Sequence, residues 1–172
     1  MNNAGIIGPR ANPLEESAAQ MLAIYQVNVF GAVRVTQVFQ GLLKAARSAR
    51  VANGEQRTRL THPDIELHEP LQQLQQPRIN SSKAVLNGVT VSLANALREF
   101  GIKVNSADPG YVATDLNDHA GPRTVEQGAT PAVRLATVDD DGPTGQFFDE
   151  YGPQAPGRTA EHPAGRIAAL GE

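Results

Sequence analysis

INSSKAVLNGVTVSLANALREF, residues 79–100, reads as one helix with a single lysine near its start. Leu86, Val89, Leu93, Leu97 and Phe100 recur at intervals of three and four, which puts them on one apolar stripe suited to packing on a sheet. Ala84, Gly88, Ser92 and Asn95 form a second face, small enough for another helix to lie close. Glycine inside a helix costs about 1 kcal/mol relative to alanine, and close packing gives a reason to tolerate it. The helix is therefore expected to be buried on two sides. Lys83 stands in its first turn, where a positive charge opposes the helix dipole. Either its ammonium reaches solvent, as lysines usually do, or it has a task unrelated to helix stability.

Downstream, Gly101 is a suitable C-cap, and Ile102–Ala107 alternates as a short strand. That strand runs into Asp108-Pro109-Gly110-Tyr111-Val112-Ala113-Thr114, and a turn at a strand's carboxyl edge is where α/β sheets bind ligands. Thr124 to Gln127 is a capping box opening a helix to about Ala136, and residues 145–149 make a final strand. The tail, 153–172, is rich in proline, glycine and alanine and is expected to be flexible.

Upstream, residues 48–78 read as an irregular loop or insertion, with a trace of strand around Arg50 to Ala52. His62, Asp64, Glu66 and His68 within it lack the i, i+4 or paired spacing of a metal site, so no metal is expected. From Pro13 to about Ala46 the pattern is helical, with Asn12 as N-cap and Glu15 and Glu16 complementing the dipole. Ile24, Val27, Gly31, Val35, Val38 and Leu42 form its stripe, and Asn28 is the polar exception. Asn28 either bonds nearby backbone or marks a helix irregularity that holds a water. Asn2 to Gly8 reads as a strand exit, in which Ala4 and Gly5 would let a flat ligand lie against the backbone.

The 172 residues suffice for one domain, and 40% hydrophobic with 19% charged residues fits a soluble globular chain. Fifteen basic and 18 acidic residues give a formal charge of -3, with no basic block, so nucleic acid is not an expected partner. No stretch is long and apolar enough for a membrane span, and the amino terminus lacks a secretory signal. With no cysteine, disulfides are excluded and a cytoplasmic location is expected.

Helices alternating with strands argue for an open, parallel α/β sheet. NNAG at 2–5, NVFGAVRVTQ at 28–37, NSSKAVLNGVTVSLANALREFGIKVNSADPGYVATDL at 80–116 and TGQFFDE at 144–150 together resemble the short-chain dehydrogenase/reductase family. The resemblance runs over residues 2–152, weakest at 50–78, and implies a Rossmann-type parallel sheet flanked by helices in 1–152, lacking the first three strands. It implies NAD or NADP as cofactor, a small carbonyl or alcohol substrate, and a homo-oligomer built through helices 13–46 and 80–100. By the same resemblance Asn28 and Lys83 correspond to catalytic positions, the asparagine of a proton relay and the lysine of a Tyr-x-x-x-Lys pair. Asn3, Ala4, Gly5, Lys83, Pro109, Gly110, Val112 and Thr114 correspond to cofactor-binding positions, with the Val112 backbone and the Thr114 hydroxyl near the nicotinamide carboxamide.

The chain departs from that pattern at three points. The tyrosine position of the pair is Ile79, which has no proton to give. Between Ser48 and Ser81 there is no serine to orient a carbonyl, Thr58 and Thr61 being the only hydroxyls. The Gly-x-x-x-Gly-x-Gly phosphate turn does not occur. The expectation is thus a truncated oxidoreductase by ancestry, weak or inactive as written; the alternatives are a non-catalytic dimerisation or binding module, a pseudoenzyme, or a truncated gene product.

Overall fold

The computed structural model describes residues 1–9, 12–54, 77–149 and 151–154. Thr58, Thr61, the group His62 to His68 and the tail from 155 onward lie outside them. Four strands form one sheet in the order β1 (Arg50–Gly54), β2 (Lys103–Ala107), β3 (Phe147–Asp149), β4 (Gly152–Gln154). The first three are mutually parallel, and β4 runs antiparallel to β3. The α/β sheet is as expected; β4 was read from sequence as the start of the tail. Asp149 makes the turn, its carboxylate accepting from the Tyr151 and Gly152 amides at 2.8 and 3.2 Å. A carboxylate that gathers two amides gives no hydrophobic pattern to read.

Both faces of the sheet are covered. Val51 and Val104 point to one side, where with Ala49 and Ile102 they pack on Ala94 and Leu97 of α4 (Pro77–Leu97). Ala52, Ala107 and Phe148 point to the other, onto Ala132 and Leu135 of α5 (Val125–Ala136). The one-residue alternation of strand side chains is what separates the two cores. Thr124 caps α5 through the expected box with Gln127. Pro131 lies inside α5 and cannot donate to the Gln127 carbonyl one turn back; Arg123 Nη2 bonds that oxygen instead, at 3.0 Å.

In α4 the residues buried toward the sheet are Ile79, Ser82, Leu86, Thr90, Ala94 and Leu97. Val89 and Leu93 are only half-buried, and Phe100, in the 3₁₀ turn Arg98–Phe100, is exposed under the Lys44 ammonium, 3.9 Å from its ring centre. The apolar stripe was misplaced because two polar residues belong to the core face. Thr90 Oγ1 accepts from Asn53 Nδ2 at 2.8 Å and from Ser106 Oγ at 3.0 Å, joining the helix to β1 and β2. Asn2 extends the network, donating to Asn53 Oδ1 at 2.8 Å and to Thr36 Oγ1 at 3.3 Å. The face Ala84, Gly88, Ser92 and Asn95 is exposed in the single chain. Gly101 closes the 3₁₀ turn in the left-handed conformation, as read.

The expected helix 13–46 is three shorter ones, α1 (Ala18–Asn28), α2 (Phe30–Val38) and α3 (Gln40–Ala45). Its N-cap is Ser17, with Gln20 completing the box, rather than Asn12, whose side chain instead accepts from the Leu14 amide in a turn at 12–15. The breaks fall at Val29, which stays right-handed helical at φ/ψ of -111°, -64°, and at Phe39, which leaves that region at -86°, 1°. The hydrophobic period runs on through both because helical i→i−4 bonds continue there, from Val29 to Tyr25 and Val33 to Val29, and from Phe39 to Val35 and Leu43 to Phe39. No helix among the described residues is long and apolar enough to cross a membrane.

Candidate functional site

The carboxyl ends of β1 and β2 open on a cleft of about 720 Å³. Three backbone segments frame it. The first is Asn3–Ile7, led in by Asn2, which pairs in parallel with Asn53 at the edge of β1. The second is Gly54 at the end of β1, and the third is Pro109–Asn117 after β2. Helix α5 closes one wall with Val125, Gly128, Ala129 and Val133. Ile79 and Lys83 of α4 and Asn28 of α1 form another.

Of the residues named from sequence, Asn28, Lys83, Asn3, Gly5, Pro109, Gly110, Val112 and Thr114 all line this one cleft; Ala4, exposed on the neighbouring backbone, does not. Lys83 is half-buried and donates to the Gly54 carbonyl at 2.9 Å, so its ammonium is tied to the end of β1 rather than extended into solvent. Asn28 ends α1 fully buried. Its Oδ1 accepts from the Ile6 amide at 2.8 Å, and its Nδ2 donates to the Ile6 carbonyl at 3.0 Å and to Ser82 Oγ at 3.1 Å. The backbone-bonding reading of Asn28 is thus the one that its hydrogen bonds support, and the residue stands at the end of α1. A Cβ on Gly5 would lie 3.5 Å from Asn28 Oδ1 and 3.9 Å from Lys83 Nζ, which puts that glycine between the two side chains.

The 108–117 loop is shaped by its own polar groups. Asp108, buried, accepts from the Gly110 amide at 2.7 Å. Gly110 takes φ of +70°, and a Cβ there would come within 2.8 Å of Arg123 Nη1. On α5, a Cβ on Gly128 would fall 2.4 Å from Val112 Cγ2, so the helix touches the loop at a position only glycine permits. Asn117 then folds back. Its Nδ2 donates to the Val112 carbonyl at 2.8 Å, and its Oδ1 accepts from the Thr114 amide at 3.1 Å.

Sequence reading missed three supports. One is the pair Arg78–Glu16, 2.9 Å apart, with Arg78 Nε also donating to the Ile7 carbonyl at 3.0 Å. Two charged residues 62 positions apart leave no local trace. The second is Ser82, which receives the Asn28 amide and donates to the Ile79 carbonyl at 2.8 Å. The third is Asn117, whose spacing three residues after Thr114 is a capping-box signal that was legible. Among the described residues no group of acidic or histidine side chains is placed to hold a metal.

The cleft is mostly apolar, has glycines where a flat ring could lie on backbone, and gathers one lysine, three asparagines and a threonine. That chemistry suits an aromatic, hydrogen-bonding ligand better than a charged one. The family model described as enoyl-(acyl carrier protein) reductase matches residues 1–144. Salutaridine reductase of Papaver somniferum is 46% identical over 69 residues, which are 40% of this chain and 22% of that protein. Short-chain dehydrogenase anuI of Penicillium roqueforti is 31% identical over 143 residues, covering 80% of this chain and 56% of the other. The crystal structure of an NADPH-bound carbonyl reductase from chicken fatty liver superposes with a TM-score of 0.71 at 24% identity, over 88% of this chain and 62% of that one. At that identity the likeness establishes the fold. The chain spans less than two thirds of the length of each of these three proteins.

Proposed function

Because this chain belongs to the short-chain dehydrogenase/reductase family, we propose that its cleft is the nicotinamide end of an NAD(P)(H) site. The lineage would be that of an oxidoreductase moving hydride between the cofactor and a small carbonyl or alcohol. The observation that carries this is the convergence of Gly5, Asn28 and Lys83 on the loop Pro109–Thr114 across one cleft at the carboxyl ends of parallel strands. Gly5 and Gly110 would let a nicotinamide ring lie on backbone, Lys83 would reach its ribose, and the Val112–Thr114 backbone would meet its carboxamide. When bound, the cofactor supplies the hydride; everything else is the chain's task.

That task is poorly served here. A carbonyl that accepts hydride needs a proton, and a positioned donor is worth roughly 10²–10⁴-fold. Ile79, 9% exposed and lining the cleft, offers none. We therefore place turnover by this chain as weak or nil, and regard a cytoplasmic pseudoenzyme as the reading that fits Ile79 best.

A second reading follows from exposed apolar residues on α2, α3 and α4. Val38 is 80% and Leu42 69% exposed, and the small-residue face of α4 is exposed as well. They suit a homo-oligomeric, non-catalytic binding module. A titration in which NADPH fluorescence is followed against increasing protein tests the first reading: saturable enhancement supports it, and a flat response at high micromolar protein removes it. Sedimentation velocity over the same concentrations tests self-association.

A further inference from the structure

We propose that the cleft-facing stripe of α5 is one wall of a site for a small, predominantly apolar molecule, held between that helix and Ile79 by contact alone. The site shares the cleft described above but needs no dinucleotide, so it stands or falls apart from the cofactor reading.

Around α5 the side chains sort into three sectors. Gly128, Pro131, Ala132 and Leu135 are buried, and Ala132 and Leu135 belong to the sheet core. Glu126, Gln127, Thr130 and Arg134 are exposed and polar. Between these two sectors run Val125, Ala129, Val133 and Ala136, spaced four, four and three residues apart and so stacked along one line of the helix. All four are exposed, Val125 by 59% and Val133 by 60%, and all four line the cleft. A surface helix needs one apolar face for its core and one polar face for water. The third sector serves neither.

Single exposed apolar side chains are ordinary, but a continuous set opening on a cavity is not. Apolar residues of three other elements meet the stripe in the same cleft: Ile6, 40% exposed, Leu116, 52% exposed, and Ile79, which makes the α4 wall aliphatic as well. The polar side chains of the lining are largely engaged within the protein. Asn28 bonds Ile6 and Ser82, Asn117 bonds Val112 and Thr114, and Lys83 gives an N–H to the Gly54 carbonyl. The Thr114 hydroxyl receives the Asn117 amide. Water in such a space finds few partners, so a molecule that displaces it removes apolar surface from solvent. At about 720 Å³ the cleft falls within the usual size of small-molecule sites, roughly 300–1,000 Å³.

The test uses N-phenylnaphthylamine, an uncharged apolar probe whose emission rises on leaving water, titrated against the unmodified chain and three variants. Saturable enhancement is expected with the unmodified chain. Val125→Glu and Val133→Glu should each weaken it by roughly tenfold, because a carboxylate on the wall must lose water as the probe seats. Neither variant loads the core, both positions being exposed, and Val125→Glu places an acid in the first turn of α5, where the helix dipole favours it. Val38→Glu, at an exposed apolar position of α2 outside the cleft lining, should leave binding unchanged. No saturable enhancement, or unweakened binding in both α5 variants, would overturn the proposal. Equal weakening by Val38→Glu would do so too, since the probe would then be held by exposed helix surface at large. Probe binding alongside a flat NADPH titration would remove the dinucleotide reading and leave this one. Saturable NADPH binding without probe binding would do the reverse.

Discussion

Arg78 and Glu16 meet at 2.9 Å with side chains 2% and 3% exposed, joining the first turn of α4 to the residue before the Ser17 cap of α1. The guanidinium also bonds the Ile7 carbonyl, while Asn28 holds Ile6 from the other side. The cleft wall at residues 5–8 is therefore suspended between two helices by two side chains. Removing one member of a buried ion pair leaves the other charge without compensation, at a cost of about 3–5 kcal/mol, whereas replacing both with apolar groups is often close to neutral. Arg78→Met should lower stability to urea by that order. Adding Glu16→Leu should recover much of the loss. Urea midpoints of the two variants check this, and an additive loss in the double variant would contradict it.

Asn28→Ala strips three hydrogen bonds and leaves both backbone groups of Ile6 and the Ser82 hydroxyl short of a partner. The cost of an unsatisfied buried group is about 1–3 kcal/mol. The sharper expectation is local: amide exchange at Ile6 should accelerate well beyond the global change, because that amide loses its acceptor at 2.8 Å.

Gly128→Ala drives a methyl to within 2.4 Å of Val112 Cγ2. Overpacking of this kind costs about 1–3 kcal/mol. Pairing it with Val112→Ala should return most of the stability, and a double-mutant cycle in denaturant measures the coupling.

Asp140 accepts from Arg50 Nη2 and Ser48 Oγ, each at 2.7 Å, and those hydrogen bonds, Arg50 first, hold its carboxyl below the usual range. A group whose folded pKa is depressed stabilises above its unfolded pKa and loses that contribution as pH falls through the folded value. Asp140→Asn should therefore lose a small stabilisation at neutral pH and flatten the acid limb below the ordinary aspartate pKa, the two proteins converging once the pH has fallen below the folded value. The carboxylate is exposed, so the effect should also shrink in high salt.

Ile79→Tyr alone should not create reductase activity. It restores a phenol at the position the family resemblance assigns to tyrosine, but supplies neither a serine to orient the carbonyl nor a phosphate-binding turn. Carbonyl-dependent NADPH oxidation by that single variant, above the unmodified chain, would contradict the assignment of weak or absent turnover to those further losses.

The parallel α/β sheet, the capping box at Thr124 and the glycine cap at 101 were legible in sequence, because each rests on local period or local turn chemistry, whereas the cleft residues were named through the family resemblance and β4 was read as tail. The stripe of α4 was misjudged where Thr90 and Ser82 enter the core through hydrogen bonds that apolarity cannot register. The α1–α3 run was read as one helix because the breaks at Val29 and Phe39 carry no proline or glycine. Arg78–Glu16 was invisible because only the tertiary fold brings them together.

The most direct measurement is the map of backbone amide shifts on adding NADPH to the unmodified chain. Saturable shifts at Gly5, Ile6, Lys83, Gly110, Val112 and Thr114, with the exposed face of α4 unmoved, are the expected result. No shifts at high micromolar protein, or shifts confined to residues away from this cleft, would contradict the assignment of a nicotinamide site.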